Sequence, residues 1–192
     1  MTKAKLLGIS GDAGSFSEEA GLLYLKNKRI TANIDYLTDM ENVLAALEAN
    51  KIDMGIFPVV NNIGGLVHMA FEAMGRHRFE VIDEIAIEIN QCLLAQPGTN
   101  IRNIKNIVSH QQALKQCQNY ILKYFLHSNV IEFQDTAKAA RELSENTLPD
   151  NSAVIAPGTC AKHYNLEIID KNIQDRTPNL TTFIIVKNRE GL

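Results

Sequence analysis

Residues 80–95, EVIDEIAIEINQCLLA, break the rhythm of the chain around them. Ile85, Ile87 and Ile89 alternate with Ala86, Glu88 and Asn90, the period of a strand that is exposed on one side. On either side, short apolar runs alternate with helical patterns. KLLGI (5–9) and MGIFPVV (54–60) read as strands before the break, and IKNIVS (104–109), VIEF (130–133), SAVIA (152–156), LEIID and FIIV as strands after it. Helical patterns cover 17–28, a stretch starting at Thr38, 66–74, 111–126, 136–145 and 159–164. Ser15 with Glu18, and Thr38 with Glu41, have capping-box spacing. Strands alternating with helices imply mainly parallel sheets. The long middle segment then reads as a crossover between two α/β lobes, with the last strand returning to the first. This expectation assigns 1–78 plus 176–192 to lobe 1 and 79–175 to lobe 2, with a ligand cleft between them.

Composition narrows the function classes. With 192 residues, 45% hydrophobic, the chain can bury a substantial core. No apolar run approaches the ~20 residues of a membrane span, and the opening MTKAKLLGIS has too short an apolar stretch for a leader. A net charge of -3 without a Lys/Arg block argues against nucleic acid as a partner. Cys92, Cys117 and Cys160 are scattered, which suits reduced thiols in a cytoplasm. The five histidines form no HxxxH or HExxH, so neither metal nor cofactor is expected. Arg76, His77 and Arg78 form a small basic cluster that reads as solvated surface, with a subunit contact as the alternative.

Ligands of open α/β sheets collect beyond the carboxyl ends of the strands. Those junctions here are rich in small polar residues: SGDAGSFS (10–17), NNIGG (61–65), SHQQA (109–113), QDTAKAA (134–140) and PGTCA (157–161). Helix-start N–H groups with nearby hydroxyls can hold a small organic anion. Each junction taken alone reads first as an ordinary N-cap, by about three to one, and only their convergence raises the functional reading. GDAGS lacks the GK[ST] ending of a phosphate loop, and no GxSxG elbow is present.

These same segments resemble the prephenate dehydratase family, in order and along nearly the whole chain. SGDAGSFSEEA (10–20) resembles its GPxGTFSxxA opening, and PVVNNIGGLV (58–67) its P-[VI]-E-N-S-x-x-G-x-V. SHQQALKQC (109–117) is similar to S-H-P-Q-A-L-x-Q-C, DTAKAA (135–140) to [ST]-T-A-x-A-A, and AKHYNLEIIDKNIQD (161–175) to A-x-x-Y-G-L…N-I-Q-D. NLTTF (179–183) falls on N-x-T-R-F. The resemblance implies two α/β lobes around a cleft, like the type II periplasmic binding proteins. It implies a lyase that converts prephenate to phenylpyruvate with loss of water and carbon dioxide, towards phenylalanine, in a homodimer or homotetramer. Members usually carry a C-terminal ACT domain; its place lies beyond this chain, so no feedback site is expected.

By that resemblance Thr181 assists hydroxyl departure. Ser15, Phe16, Asn61, Asn62, Gly65, Ser109, His110, Gln112, Thr136, Thr182 and Phe183 become candidate substrate contacts. Core packing is the competing reading for Phe16 and Phe183, loop fixing for His110, and Cys117 reads as a small core residue. Three departures qualify the function. Thr182 replaces the motif arginine, Val60 the glutamate and Asn62 the serine. A lost charge-assisted contact costs on the order of 1.5–3 kcal/mol. Joint loss of Glu and Arg suggests a deleted ion pair. It also keeps open two alternatives, a prephenate decarboxylase that leaves the ring non-aromatic and a non-catalytic small-anion binder.

Overall fold

The structure of the chain, a computed structural model, describes residues 4–189. Residues 1–3, which open the stretch tested as a leader, and 190–192, assigned to lobe 1, lie outside the described residues. The chain forms two compact units. One takes the residues up to Asp12, Phe16–Glu88 and the residues from Asn179 onward; the other takes Ala13–Ser15 and Ile89–Pro178.

The first unit contains β1 (Lys5–Ile9), α1 (Phe16–Lys28), β2 (Ala32–Tyr36), α2 (Met40–Glu48), β3 (Met54–Asn61), β4 (Gly65–Leu66), α3 (His68–Met74) and β5 (Phe79–Glu88). The second contains β6 (Gln91–Ala95), a 3-10 turn at Ile101–Asn103, β7 (Asn106–His110), α4 (Gln111–Gln116), α5 (Gln118–Tyr124), β8 (Asn129–Phe133), α6 (Thr136–Ser144), β9 (Ser152–Pro157), α7 (Gly158–His163) and β10 (Glu167–Lys171). Finally β11 (Leu180–Asn188) returns to the first unit. The strand orders are β2-β1-β3-β11-β5, with β4 beside β3, and β10-β6-β9-β7-β8. The expected parallel pairing holds for β2-β1-β3 and β9-β7-β8, while β5, β6, β10 and β11 pair antiparallel.

The single crossover strand expected over 80–95 is two strands in two sheets. β5 alternates and lies at a sheet edge, whereas QCLLA of β6 is buried at all five positions. That change from alternating to continuous burial marks the passage from an edge to an interior strand. Because β5 pairs with β11 along its length, the first unit ends after Glu88 rather than after residue 78. β2 had no sequence signal: ANIDY is half polar and becomes a strand by parallel pairing with β1. α2 is capped by Asp39, whose carboxylate accepts from the Asn42 N–H at 2.8 Å, not by Thr38. The helix expected over 111–126 is interrupted at Cys117 (φ -114, ψ 20).

In the first unit α2 and α3 cover one sheet face through Val43, Leu44, Leu47, Ala70, Ala73, Phe57, Ile184 and Val186. A Cβ on Gly55 would come within 2.6 Å of Val43, so glycine lets α2 lie close on β3. In the second unit β6 sends Cys92 and Leu94 into a core with α6 and α7, and Leu93 and Ala95 into one with α4 and α5. Such two-sided burial explains its unbroken apolar sequence.

Candidate functional site

β1 pairs with only the first part of β3, Leu7–Ile9 against Met54–Ile56, so β3 projects onward to Asn61. There it meets the antiparallel start of β11, with Thr181 opposite Asn61. Asn61 is buried and its amide is fully committed. Nδ2 donates to Asn179 Oδ1 at 2.7 Å, to Thr181 Oγ1 at 2.9 Å and to the Leu180 carbonyl at 3.1 Å. Oδ1 accepts from the Ile63 and Gly64 N–H groups at 3.0 and 2.6 Å, which folds NNIGG into a turn. Asn62 fastens the same junction, since its Oδ1 accepts from the Leu180 N–H at 2.7 Å and its own N–H donates to the Leu180 carbonyl at 2.9 Å. Gly65 has φ +79 with open space around a would-be Cβ, so the turn requires its backbone conformation, not its small size.

This geometry sets the state of the Thr181 hydroxyl. An amide N–H can only donate, so Thr181 Oγ1 is the acceptor in its bond from Asn61. The hydroxyl hydrogen is then left over, and among the described residues no acceptor takes it. Thr181 is buried, 8% exposed, so bulk water does not compete strongly for that hydrogen. The site therefore presents an available O–H donor at the start of β11, beside the carboxyl end of β3.

Thr182 does not join this group. It opposes Val60 on β3 and Ala86 on β5, and it shares strand alternation with Ile184 and Val186, which enter the α2 and α3 core. Val60 packs against that same core. Val59 is the extra residue of a bulge, because Phe183 opposes Pro58, and the bulge accommodates proline within the sheet. Val60 and Thr182 are thus direct cross-strand partners on the face opposite Thr181. Phe183 is 1% exposed and part of the packed interior, while Phe16, at the start of α1, is half-buried.

In the second unit Ser109, His110, Gln112 and Thr136 lie at the carboxyl ends of the adjacent parallel strands β7 and β8, and the first two engage backbone. Ser109 is fully buried and donates to the Ile155 carbonyl at 2.5 Å. His110 is exposed and caps α4, its Nδ1 accepting from the Gln112 N–H at 3.3 Å. Gln112 and Thr136 are half-buried, Thr136 opening α6 beside Asp135, which accepts from the Lys138 N–H at 2.8 Å. Ser15 is buried in the tripeptide Ala13–Ser15, whose carbonyls are held by α7. Thr159 Oγ1 donates to Gly14 O at 2.6 Å, and the residue after α7, Tyr164, donates its hydroxyl to Ala13 O at 2.8 Å.

Sequence reasoning passed over several residues. Asn179 is fully enclosed and closes the Asn61 cluster; its place just after Pro178 in NLTTF was the available signal. The NIQD stretch fastens the second sheet. Gln174 Oε1 accepts from the Gln91 N–H at 3.0 Å, and the Asp175 carboxylate accepts from the Asn119 N–H at the start of α5 at 3.1 and 3.2 Å. Cys117 is buried, and that burial pushes its thiol well above the usual range, as a small core residue requires. Arg76, His77 and Arg78 are not plain solvated surface: His77 is nearly enclosed between Glu41 and Glu48. Among the described residues no group of three or more His, Cys, Asp or Glu side chains could hold a metal ion, and no helix is long and apolar enough to cross a membrane.

A family model described as prephenate dehydratase matches residues 7–191. The chloroplastic arogenate dehydratase/prephenate dehydratase 2 of Arabidopsis thaliana is 32% identical over 180 residues, 94% of this chain and 45% of that protein. The chain thus spans less than half the length of that curated relative. The crystal structure of a prephenate dehydratase from Arthrobacter aurescens in complex with L-Phe has the same fold, with a TM-score of 0.85 at 24% identity over 97% of this chain and 61% of that one. A periplasmic substrate-binding protein of an ABC transporter from Coxiella burnetii, at TM-score 0.54 and 15% identity over 96% of this chain and 85% of that one, extends the likeness to the periplasmic-binding-protein fold expected from the sequence. On the match of residues 7–191, the chain belongs to the prephenate dehydratase family.

Proposed function

We propose that the chain is a carbon–oxygen lyase that aromatises prephenate, or its amino counterpart arogenate, in phenylalanine biosynthesis. The observation that carries this reading is the bond from Asn61 to Thr181, which fixes the threonine oxygen as an acceptor and leaves its hydrogen to be donated. In the reaction the bond from the ring to its carboxylate breaks and releases carbon dioxide. The freed electron pair enters the ring and completes the aromatic system. The ring C–O bond breaks at the opposite carbon, and the departing oxygen leaves as water. Overall one proton is taken up. Thr181 supplies the hydrogen bond that stabilises charge on the departing oxygen, and solvent replaces any proton it gives up. Asn61 positions the Thr181 oxygen, and Asn179 in turn holds Asn61.

A second reading follows from the pair Val60 and Thr182. Where the family motifs have Glu and Arg, this chain has a neutral couple, and a decarboxylase that keeps the ring hydroxyl is the alternative activity. Incubating the pure protein with prephenate and with arogenate separates the readings. Phenylpyruvate or phenylalanine supports the lyase, a non-aromatic hydroxy acid the decarboxylase, and bound but unchanged substrate a small-anion binder. A homodimer or homotetramer in a reducing cytoplasm completes the proposal. The three buried free thiols suit that compartment, and light scattering of the pure protein tests the assembly.

A further inference from the structure

The connection from α3 to β5 carries Arg76, His77 and Arg78, and its central residue is the enclosed one. The His77 side chain is 11% exposed, with Nε2 2.7 Å from Glu41 Oε1 and Nδ1 2.8 Å from Glu48 Oε2. Both carboxylates belong to α2, two helical turns apart, so they project from one face. Their remaining oxygens are also engaged. Arg76 holds Glu41 Oε2 through Nε at 3.1 Å and a terminal nitrogen at 3.0 Å. The Arg78 N–H donates to Glu48 Oε1 at 3.0 Å.

An ionised carboxylate can only accept, and a neutral imidazole has a single N–H. Both ring contacts can be hydrogen bonds only when the ring carries two protons. With one proton, a nitrogen lone pair faces a carboxylate oxygen, and one of the two bonds is lost. We propose that Glu41, His77 and Glu48 form a proton-gated clasp that fixes α2 to the entry of β5, shut when the ring is doubly protonated and slack when one proton leaves.

The charges that act on the ring come from α2, first Glu48 and then Glu41, and both raise its proton affinity above the ordinary value of 6.5. On β5 the nearest charge in sequence, Glu80, is engaged by Lys187 of β11 at 3.2 Å. Bonds from His77 hold both carboxylates below their ordinary 4.5, with Arg76 adding to the effect on Glu41 and the Arg78 N–H to that on Glu48. The signs define a window. A raised histidine contributes fully below its ordinary value and loses its contribution as pH rises through the folded one. The lowered carboxylates contribute above their ordinary value and lose theirs as pH falls through the folded ones. β5 enters its pairing with β11 at Phe79 opposite Asn188, whereas Thr181 lies opposite Ile87 near the other end. Slackening therefore frays the end of the sheet away from Thr181.

The test is a nitrogen-resolved NMR titration of the His77 imidazole, assigned by triple resonance in the intact protein. His77 is expected to carry both ring protons in the clasp and to titrate above the ordinary imidazole value of 6.5. Glu48→Gln should lower that midpoint, with Glu41 still raising it. Above the His77 midpoint, amide protection of α2 should fall severalfold relative to α6, and His77→Gln should abolish that pH dependence. A His77 midpoint at or below 6.5, or α2 protection that ignores pH in the unaltered protein, overturns the clasp.

Discussion

Two buried hydroxyls, one in each unit, occupy comparable places and are in opposite states. Ser109 at the end of β7 spends its hydrogen on the Ile155 carbonyl, while Thr181 at the start of β11 receives a hydrogen from Asn61 and keeps its own. Residue type and burial do not separate them; the partner does. A carbonyl accepts the hydrogen bond that a hydroxyl can donate, whereas an amide N–H leaves that hydrogen available. Ser109 and His110 in the second unit hold backbone only, whereas Asn61 in the first unit holds backbone and two neighbouring side chains, Asn179 and Thr181.

The sharpest way to break this contrast is Thr181→Val, which keeps the shape and removes the hydroxyl. Turnover is expected to fall about 10²- to 10⁴-fold with the melting temperature nearly unchanged, and Thr181→Ser should restore much of it. Unchanged product formation by the valine variant would remove the assigned role. Next comes Asn61→Ala, which removes the donor to Asn179, Thr181 and Leu180 and opens the turn at Ile63 and Gly64. A denaturant melt should show a loss of about 3 kcal/mol, with turnover reduced because Thr181 loses its orientation. Ser109→Ala should cost about 1–2 kcal/mol in the same melt while leaving turnover within a few-fold of the parent, since that hydroxyl is structural. A large catalytic loss with full stability would erase the difference between the two hydroxyls. The smallest effect belongs to the opposite face of β11. A double-mutant cycle of Val60→Glu and Thr182→Arg should show favourable coupling of roughly 0.2–1 kcal/mol, as for other cross-strand charge pairs. If the double variant is no more active than either single one, the ion-pair account of these positions fails.

Much of the fold was legible because burial leaves a period in the sequence. β1, β3, β7, β9 and β11 are apolar runs, and α6 shows its cap in Asp135 and its packed face in Ala137, Ala140 and Leu143. What escaped was set by pairing rather than by periodicity. β2 is a strand because β1 lies beside it, and the division between β5 and β6 depends on which sheet each joins. The break at Cys117 carries neither glycine nor proline and left no sequence signal. At the candidate site, motif resemblance proposed Thr181, but the sequence did not show that Asn61 would turn its oxygen into an acceptor or that Thr182 would face the other way. Those facts depend on strand register, which a bulge at Val59 resets. His77 escaped for a related reason, since its partners lie 29 and 36 residues away.

The place of β11 between β3 and β5 has a consequence for how the chain is made. Ribosomes release the polypeptide from its N-terminus, and the second unit is continuous from Ile89 to Pro178 apart from one tripeptide. That unit can collapse while the first still waits for residues 180–188 to join β3 to β5. Until those residues emerge, β5 is a ten-residue strand without its neighbour, open to wrong pairings. The threonine on which the proposed chemistry depends is delivered by the same segment that closes the sheet, so nascent chains are expected to gain activity only at the step that ends their exposure to misassembly.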